Sequence, residues 1–415
     1  MFFNTSNYKK VVVFVVIIFV LIGGLFDFCV TKVAHAENEN QPSENVEAEL
    51  GEKINEILNE TDTSELDDFL INEFDFEFFN ALSFKDLALK VLKGNFFEEY
   101  DSLLSEIGNI FKESLKPLLS LFVSLLSLVI LFELFSNLSA GKHDDLKKSI
   151  KIIFSLLTVL ILIVMLKDIS KIIAESIQRL FDISRILFPI LLSMILLSGS
   201  AGSYSIYSTL SIFLLNTGSY IFVYLLLPLS ISILLLSVFG SAFESSKFSR
   251  VIDIFKSVFK YSIIIFFAIF GLFSSVNMVT AGIKDGVSLK LTKFAIKNYV
   301  PILGGYISDG FNFVHSCSIL IKNAFGVCGI MLLFFTVLKP IIVYAIYLLF
   351  FKVLSLMVLF VGNNEYSDMF NNVSKCMSNF ITVLAGSFMV LFIYIYLLIL
   401  SVSVVWWFIN LLFHI

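Results

Sequence analysis

No charged residue interrupts the stretch FITVLAGSFMVLFIYIYLLILSVSVVWWFI (Phe380–Ile409), which is longer than one bilayer crossing requires. A hydrocarbon core of ~30 Å needs about 20 apolar residues in a helix. The whole 415-residue chain has the same character, because it is 58% hydrophobic and 15% charged, with a mean hydropathy of +0.91. This composition excludes a large soluble enzyme and predicts an all-α, polytopic membrane protein.

Region 117–415 is predicted to be a multi-span transmembrane bundle of about eight helices. Ile186–Gly240 is long enough for two spans separated by SGSAGSYS (Ser198–Ser205), although three short spans also fit. Phe311–Leu338 predicts one span, or a half-entering segment followed by one. The other runs that suffice for one crossing are Pro117–Leu138, Ile150–Leu166, Tyr261–Thr280, Ile341–Val361 and Phe380–Ile409.

Two connecting segments, 167–185 and 246–260, are amphipathic and predict helices that lie along the membrane interface. In the first, Ile169, Ile173 and Ile177 share one side with charges opposite. The second carries basic residues suited to anionic headgroups. Interfacial packing is the simpler role for both segments, and contact with a regulatory partner is the alternative.

The N-terminal part predicts export. Residues 1–36 have a basic start, an apolar stretch and the small residues Ala34 and Ala36 at a cleavage point, as in a signal peptide. An uncleaved anchor is the alternative. Residues 37–50 predict a disordered acidic tether, because they are polar and contain a proline.

Residues 51–116 predict a small exported helical head. Ser83 followed by Asp86 is an N-cap signal before a helix. From Glu37 to Lys116 there are 21 acidic residues and 6 lysines, a net charge of −15 that would repel nucleic acid. The acidic pairs lack EF-hand spacing, so no metal is expected.

Several polar residues fall inside apolar stretches and predict an intramembrane network. Lys322 and Lys352 each lie midway along an apolar run, where a lysine costs about 2.5–3.5 kcal/mol. Glu133 and Asp309 are candidate counter-charges, and Asn323 is a candidate hydrogen-bond partner. The network is either a polar path through the bundle or a purely structural feature, with lysines that reach the interface.

Glycines near this network predict bent backbone and close helix approach. They follow Pro301 and flank Lys322; the set is Pro301, Gly304, Gly305, Gly310, Gly326 and Gly329. HExxH, P-loop and GxSxG motifs are all missing from the sequence, so neither an enzyme nor a bound cofactor is expected.

Two segments resemble the stage III sporulation protein AE family of endospore-forming bacteria. They are SFKDLALKVLKG (Ser83–Gly94) and YVPILGGYISDGFNFVHSCSILIKNAFGVCGIMLLF (Tyr299–Phe334). The second is similar to the family's Pro-x-x-Gly-Gly-x-x-Ser-Asp pattern and the Leu-x-Lys-Asn-x-x-Gly helix that follows it. Phe350-Phe351-Lys352 departs from the residues that are usual in the family at this place. The overall similarity extends from about Leu66 to Val404.

The resemblance implies a non-enzymatic membrane subunit of the channel, or secretion-like apparatus, between mother cell and forespore. The protein would lie in the outer forespore membrane, with its head exported into the intermembrane space and other membrane proteins of the stage III complex as partners. The alternative from the residues alone is an autonomous secondary permease that uses Lys322 and Asp309.

Overall fold

The computed structural model describes residues 44–72, 74, 82–93, 100–138, 144–242, 246–299 and 304–413. The described residues are almost entirely helical and include no strand, which confirms the all-α prediction. The predicted signal peptide, with Ala34 and Ala36, and residues 37–43 of the predicted tether lie outside the described residues.

Three short helices precede the long ones: α1 (Glu44–Glu60), α2 (Ser64–Asn72) and α3 (Phe84–Leu92). Helix α1 begins inside the segment predicted to be a disordered tether, so residues 44–50 are helical. The apolar spacing of Val46, Leu50 and Ile54 continues the helical repeat backwards past Gly51. Ser83 caps α3 as predicted, because its Oγ accepts a hydrogen bond from the Asp86 backbone N at 3.1 Å.

Six long helices follow. They are α4 (Tyr100–Leu138), α5 (Asp144–Leu197), α6, α7 (Ser246–Tyr299), α8 (Gly304–Val361) and α9 (Asn364–Phe413). Helix α6 starts as Ala201–Phe213, passes through π-helical segments at Leu214–Gly218 and Ile221–Leu226, and ends as Leu227–Ala242. Within the described ranges, each of the six is long and apolar enough to cross a membrane.

The eight apolar stretches of the sequence therefore fall on six continuous helices. Helix α5 joins Ile150–Leu166 to the start of Ile186–Gly240 through segment 167–185, and α8 joins Phe311–Leu338 to Ile341–Val361. Segment 246–260 is the first part of α7. The predicted break after Ser198 is confirmed, because the chain turns at Gly199 with a positive φ of 77°. The interfacial position of segments 167–185 and 246–260 stays a prediction.

The long helices alternate in direction. The α8–α9 turn reaches the end of α4 and the start of α5, where Asn363 Nδ2 donates to Glu133 Oε2 at 3.0 Å and Lys151 pairs with Glu365 at 2.8 Å. Helix α9 contacts α5, α6, α7 and α8, and it is the most buried of the six. The short N-terminal helices pack on α5 and α8, with the Phe84 and Phe325 rings 5.1 Å apart.

Two glycines of α8 lie where side chains of neighbouring helices approach the α8 backbone closely. A Cβ on Gly326 would lie 2.5 Å from Ile399 Cγ1, and a Cβ on Gly329 would lie 2.1 Å from Leu187 Cδ2. Gly310, on the same helix, has nothing within 4 Å of the corresponding position. Gly304 and Gly305 form the first residues of α8, and Pro301 lies outside the described residues.

We expect Gly326→Ala to lower the free energy of unfolding by about 1–3 kcal/mol, because the added methyl group overpacks the α8–α9 contact. Gly310→Ala is the matched control and is expected to be neutral or slightly stabilising. Thermal unfolding of both variants in detergent measures the difference. Equal melting temperatures for the two variants would contradict the close approach of α8 and α9 at Gly326.

Candidate functional site

Lys322 is completely buried at the contact between α8 and α9. Its Nζ donates a hydrogen bond to the backbone oxygen of Ile399 at 2.8 Å. Gly326, one turn further along α8, has no side chain to hold the helices apart at Ile399. The bond therefore joins the predicted polar residue to the backbone of the neighbouring helix, and it helps to hold α9 against α8.

The other predicted network residues lie elsewhere. Lys352 is on the same helix as Lys322 but 30 residues later, about 45 Å away at ~1.5 Å per residue. Glu133 lies at the α8–α9 turn. Asn323 is adjacent to Lys322, and its Oδ1 is buried with no hydrogen bond to the part of the chain that the structure describes. The Asp309 side chain lies outside the described residues. Of the network residues whose side chains the structure describes, Lys322 and Asn323 are neighbours along α8, whereas Glu133 lies at the α8–α9 turn and Lys352 lies 30 residues further along α8.

A polar cluster at the α8–α9 turn connects four helices, because Lys151 of α5 also pairs with Glu365 of α9. Glu133 of α4 accepts the bond from Asn363, whose Oδ1 in turn accepts from the Tyr366 backbone N at 3.0 Å and caps α9. Gly362, with φ of 99°, makes the turn possible. Glu133 is therefore an anchor for this turn, where the sequence suggested a counter-charge for a lysine.

A second polar cluster, at the α5–α6 turn, was not predicted from the sequence. Both carboxylate oxygens of buried Asp285 accept from the Ser203 backbone N, at 3.1 and 3.2 Å, at the start of α6. His315 Nδ1 lies 2.6 Å from the backbone oxygen of Ser198. These contacts tie α7 and α8 to the turn. The only sequence signals were a carboxylate just after an apolar stretch and a glycine- and serine-rich break.

Lys322 and the polar side chains of the two clusters connect one helix to another. Among the residues in the described ranges, no three His, Cys, Asp or Glu side chains converge into a set that could hold a metal ion. Cys317, Cys328 and Cys376 are buried thiols outside any disulfide. These hydrogen bonds can fix the positions of helices and turns. The bond from buried Lys322 to the backbone of Ile399 also fixes how α8 and α9 are aligned along their length.

The described part of the chain contains six long apolar helices, and buried polar side chains form hydrogen bonds between them. These features define a multi-pass α-helical membrane protein. The family model described as stage III sporulation protein AE (spore_III_AE) matches residues 82–402. The match covers well over half of the sequence, and the chain belongs to this family.

A curated relative supports the assignment. Stage III sporulation protein AE of Bacillus subtilis (strain 168) is 29% identical over 159 residues, which cover 38% of this chain and 40% of the relative. The matched region thus spans less than half of that protein's length. No solved structure matches the chain significantly.

We expect Lys322→Met to retain most of the protein's stability and cellular activity, because methionine fills the same volume and removes a buried charge. Lys322→Ala should lower the free energy of unfolding by about 2–5 kcal/mol, since it leaves a cavity. Thermal unfolding in detergent and spore counts after complementation measure the two variants. Loss of sporulation by a fully stable Lys322→Met protein would contradict a packing role and favour a polar path.

Proposed function

We propose that the protein is a non-enzymatic membrane subunit of the channel, or secretion-like complex, that connects the mother cell with the forespore during endospore formation. The family match over residues 82–402 carries the proposal. The protein would lie in the outer forespore membrane, with the head formed by α1–α3 in the intermembrane space. Other membrane proteins of the stage III complex would be its partners.

The arrangement of polar groups supports a structural subunit. Lys322, Glu133 and Asp285 each bond to a neighbouring helix or turn, so their bonds fix the positions of helices. A subunit of this kind acts through packing and partner contacts, and it requires no chemical step. Apolar side chains exposed on α4 and α7 suit contact with lipid or with apolar faces of other membrane proteins.

The head supplies a surface for a basic partner. Helix α2 packs with Leu66, Phe69 and Leu70 buried, whereas Glu65 and Asp68 are exposed on the opposite side. Asp67 already forms a hydrogen bond within the head, because its Oδ1 accepts from the Phe84 backbone N at 2.6 Å. Glu65 and Asp68 can therefore be changed without breaking a described contact between head helices.

Affinity capture of the tagged full-length chain from sporulating cells tests the proposal. We expect other stage III membrane proteins to be recovered, and we expect Glu65→Lys/Asp68→Lys to reduce that recovery several-fold, because a basic partner would be repelled. Glu65→Asp/Asp68→Glu is the matched control, which keeps both charges and should keep the recovery. Capture of none of these proteins by the unmodified chain would overturn the proposed function.

A further inference from the structure

A narrow groove lies on the surface between α4 and α8. Its cavity has a volume of about 300 Å³, and all nine side chains that line it are apolar. Helix α4 contributes five of them between Phe111 and Phe122, and α8 contributes four between Ile346 and Val353. The lining offers no hydrogen-bond partner, so the groove suits a hydrocarbon ligand.

The dimensions of the groove match a single acyl chain. From Phe111 to Phe122, α4 rises about 16 Å at ~1.5 Å per residue, which is close to half of a ~30 Å hydrocarbon core. One turn of a helix with a diameter of about 10 Å occupies about 400 Å³, which exceeds the volume of the cavity. A flexible chain of methylene groups fits this space, whereas a partner helix could enter it only with side chains.

Exposed apolar side chains surround the groove. Leu119 and Val123 of α4 are 64% and 65% exposed, and Leu349 and Val353 of α8 are 49% and 45% exposed. The start of α5, which also contacts α4, has exposed apolar side chains between residues 152 and 164. Three neighbouring helices therefore present one apolar surface that suits lipid, and the groove opens onto it.

Helices α4 and α8 run in the same direction beside the groove. The rings of Phe122 and Phe350 are in edge-on contact, with their centroids 5.8 Å apart. Further along both helices, Glu133 of α4 accepts a hydrogen bond from Asn363, which follows α8. Equal numbers of residues before Phe122 and before Phe350 therefore reach about equal levels on the two helices.

Two lysines lie at the same level, at the end of the groove nearer the N-termini of both helices. Lys339 precedes Phe350 by 11 residues, and Lys112 precedes Phe122 by 10 residues. Lys339 is on the groove side of α8, because it lies about two helical turns before the lining residue Ile346. Lys112 is exposed and directly follows the first lining residue of α4.

The two ammonium groups can reach one phosphate at this end of the groove. Packed helices have axes about 8–10 Å apart, and helical side chains lean toward the N-terminus, beyond the apolar lining. Gly108, one turn before Phe111, has no heavy atom within 4 Å of a Cβ position, so this end is open. Glu106 and Glu113, the nearest acidic residues of α4, lie two residues from Gly108 and Phe111 and project from other sides of the helix.

We propose that the α4–α8 groove binds one anionic glycerophospholipid, with an acyl chain along the apolar lining and the phosphate held by Lys112 and Lys339. Basic pockets between membrane helices bind anionic headgroups in this way. Because α4 follows the head in the chain, the lipid also stabilises the position of this helix against α8. The site requires only the multi-pass membrane architecture, so its failure would leave the proposed channel role untouched.

Native mass spectrometry of the purified full-length chain in detergent tests the site. Phosphatidylglycerol and phosphatidylcholine with the same acyl chains are added separately. We expect one phosphatidylglycerol per chain to bind about tenfold more tightly than phosphatidylcholine, and Lys112→Gln/Lys339→Gln to abolish this preference. Lys148→Gln/Lys284→Gln, which changes two exposed lysines away from the groove, is the matched control and should keep it. Equal affinities of the unmodified chain for the two lipids would overturn the proposal.

A phosphatidylglycerol with a photoreactive group in its acyl chain locates the bound lipid in reconstituted vesicles. Cross-links should concentrate at residues 111–122 and 346–353. Leu119→Trp, which fills part of the groove, should reduce them several-fold, whereas Val123→Trp, equally exposed but outside the lining, should not. Both tryptophan variants keep the two lysines, so they remain informative if Lys112→Gln/Lys339→Gln is poorly folded.

Two cross-linking patterns would contradict the site. Even cross-linking over the exposed apolar surfaces of α4 and α7 would show bulk lipid contact only. Cross-links on α7 without any in the groove would show that the groove is closed to lipid. Either pattern overturns the proposal.

Discussion

The contact between α8 and α9 is the interaction on which the rest of the bundle depends. Helix α9 touches four other long helices, and α8 is the element on which the head packs. Close approach requires a residue without a side chain at position 326, and it allows Lys322 to reach the backbone of Ile399. In a membrane the hydrophobic effect gives little drive for helices to associate, so close packing and buried hydrogen bonds carry more of the stability.

Much of the fold could be predicted from the sequence, because its signals are local. Uninterrupted apolar runs such as Phe380–Ile409 identify membrane helices, and Ser83 with Asp86 marks the start of α3. The number of separate helices could not be obtained in this way. Segment 167–185 contains neither glycine nor proline, so nothing ends the helix between the two apolar runs it connects, and α5 is continuous. Length alone does not reveal whether adjacent apolar runs share one helix.

The polar contacts were harder to predict, because they depend on how helices distant in sequence are aligned. The partner of Lys322 is the backbone oxygen of an isoleucine 77 positions away, for which no residue pattern exists. Glu133 stands out in the sequence as an acidic residue near the end of an apolar run, but its bond to Asn363 depends on α4 ending level with the α8–α9 turn. Asp285 and His315 meet the α5–α6 turn for the same reason. Hydropathy shows that a polar group inside an apolar run needs a hydrogen-bond partner. The alignment of the helices relative to one another decides which residue is that partner.

The amphipathic segment of α5 shows why periodicity alone leaves its surroundings open. An apolar stripe with charges opposite is typical of a helix on a membrane surface, and the same pattern suits a helix between a protein core and water. In the structure the apolar side of this segment is buried in the bundle, at Ile169, Ile173 and Ile177, so it contacts protein. Helical periodicity identifies the side of this segment that packs in the bundle, whereas the contacts of the charged side depend on how deep the segment lies, which no residue pattern gives.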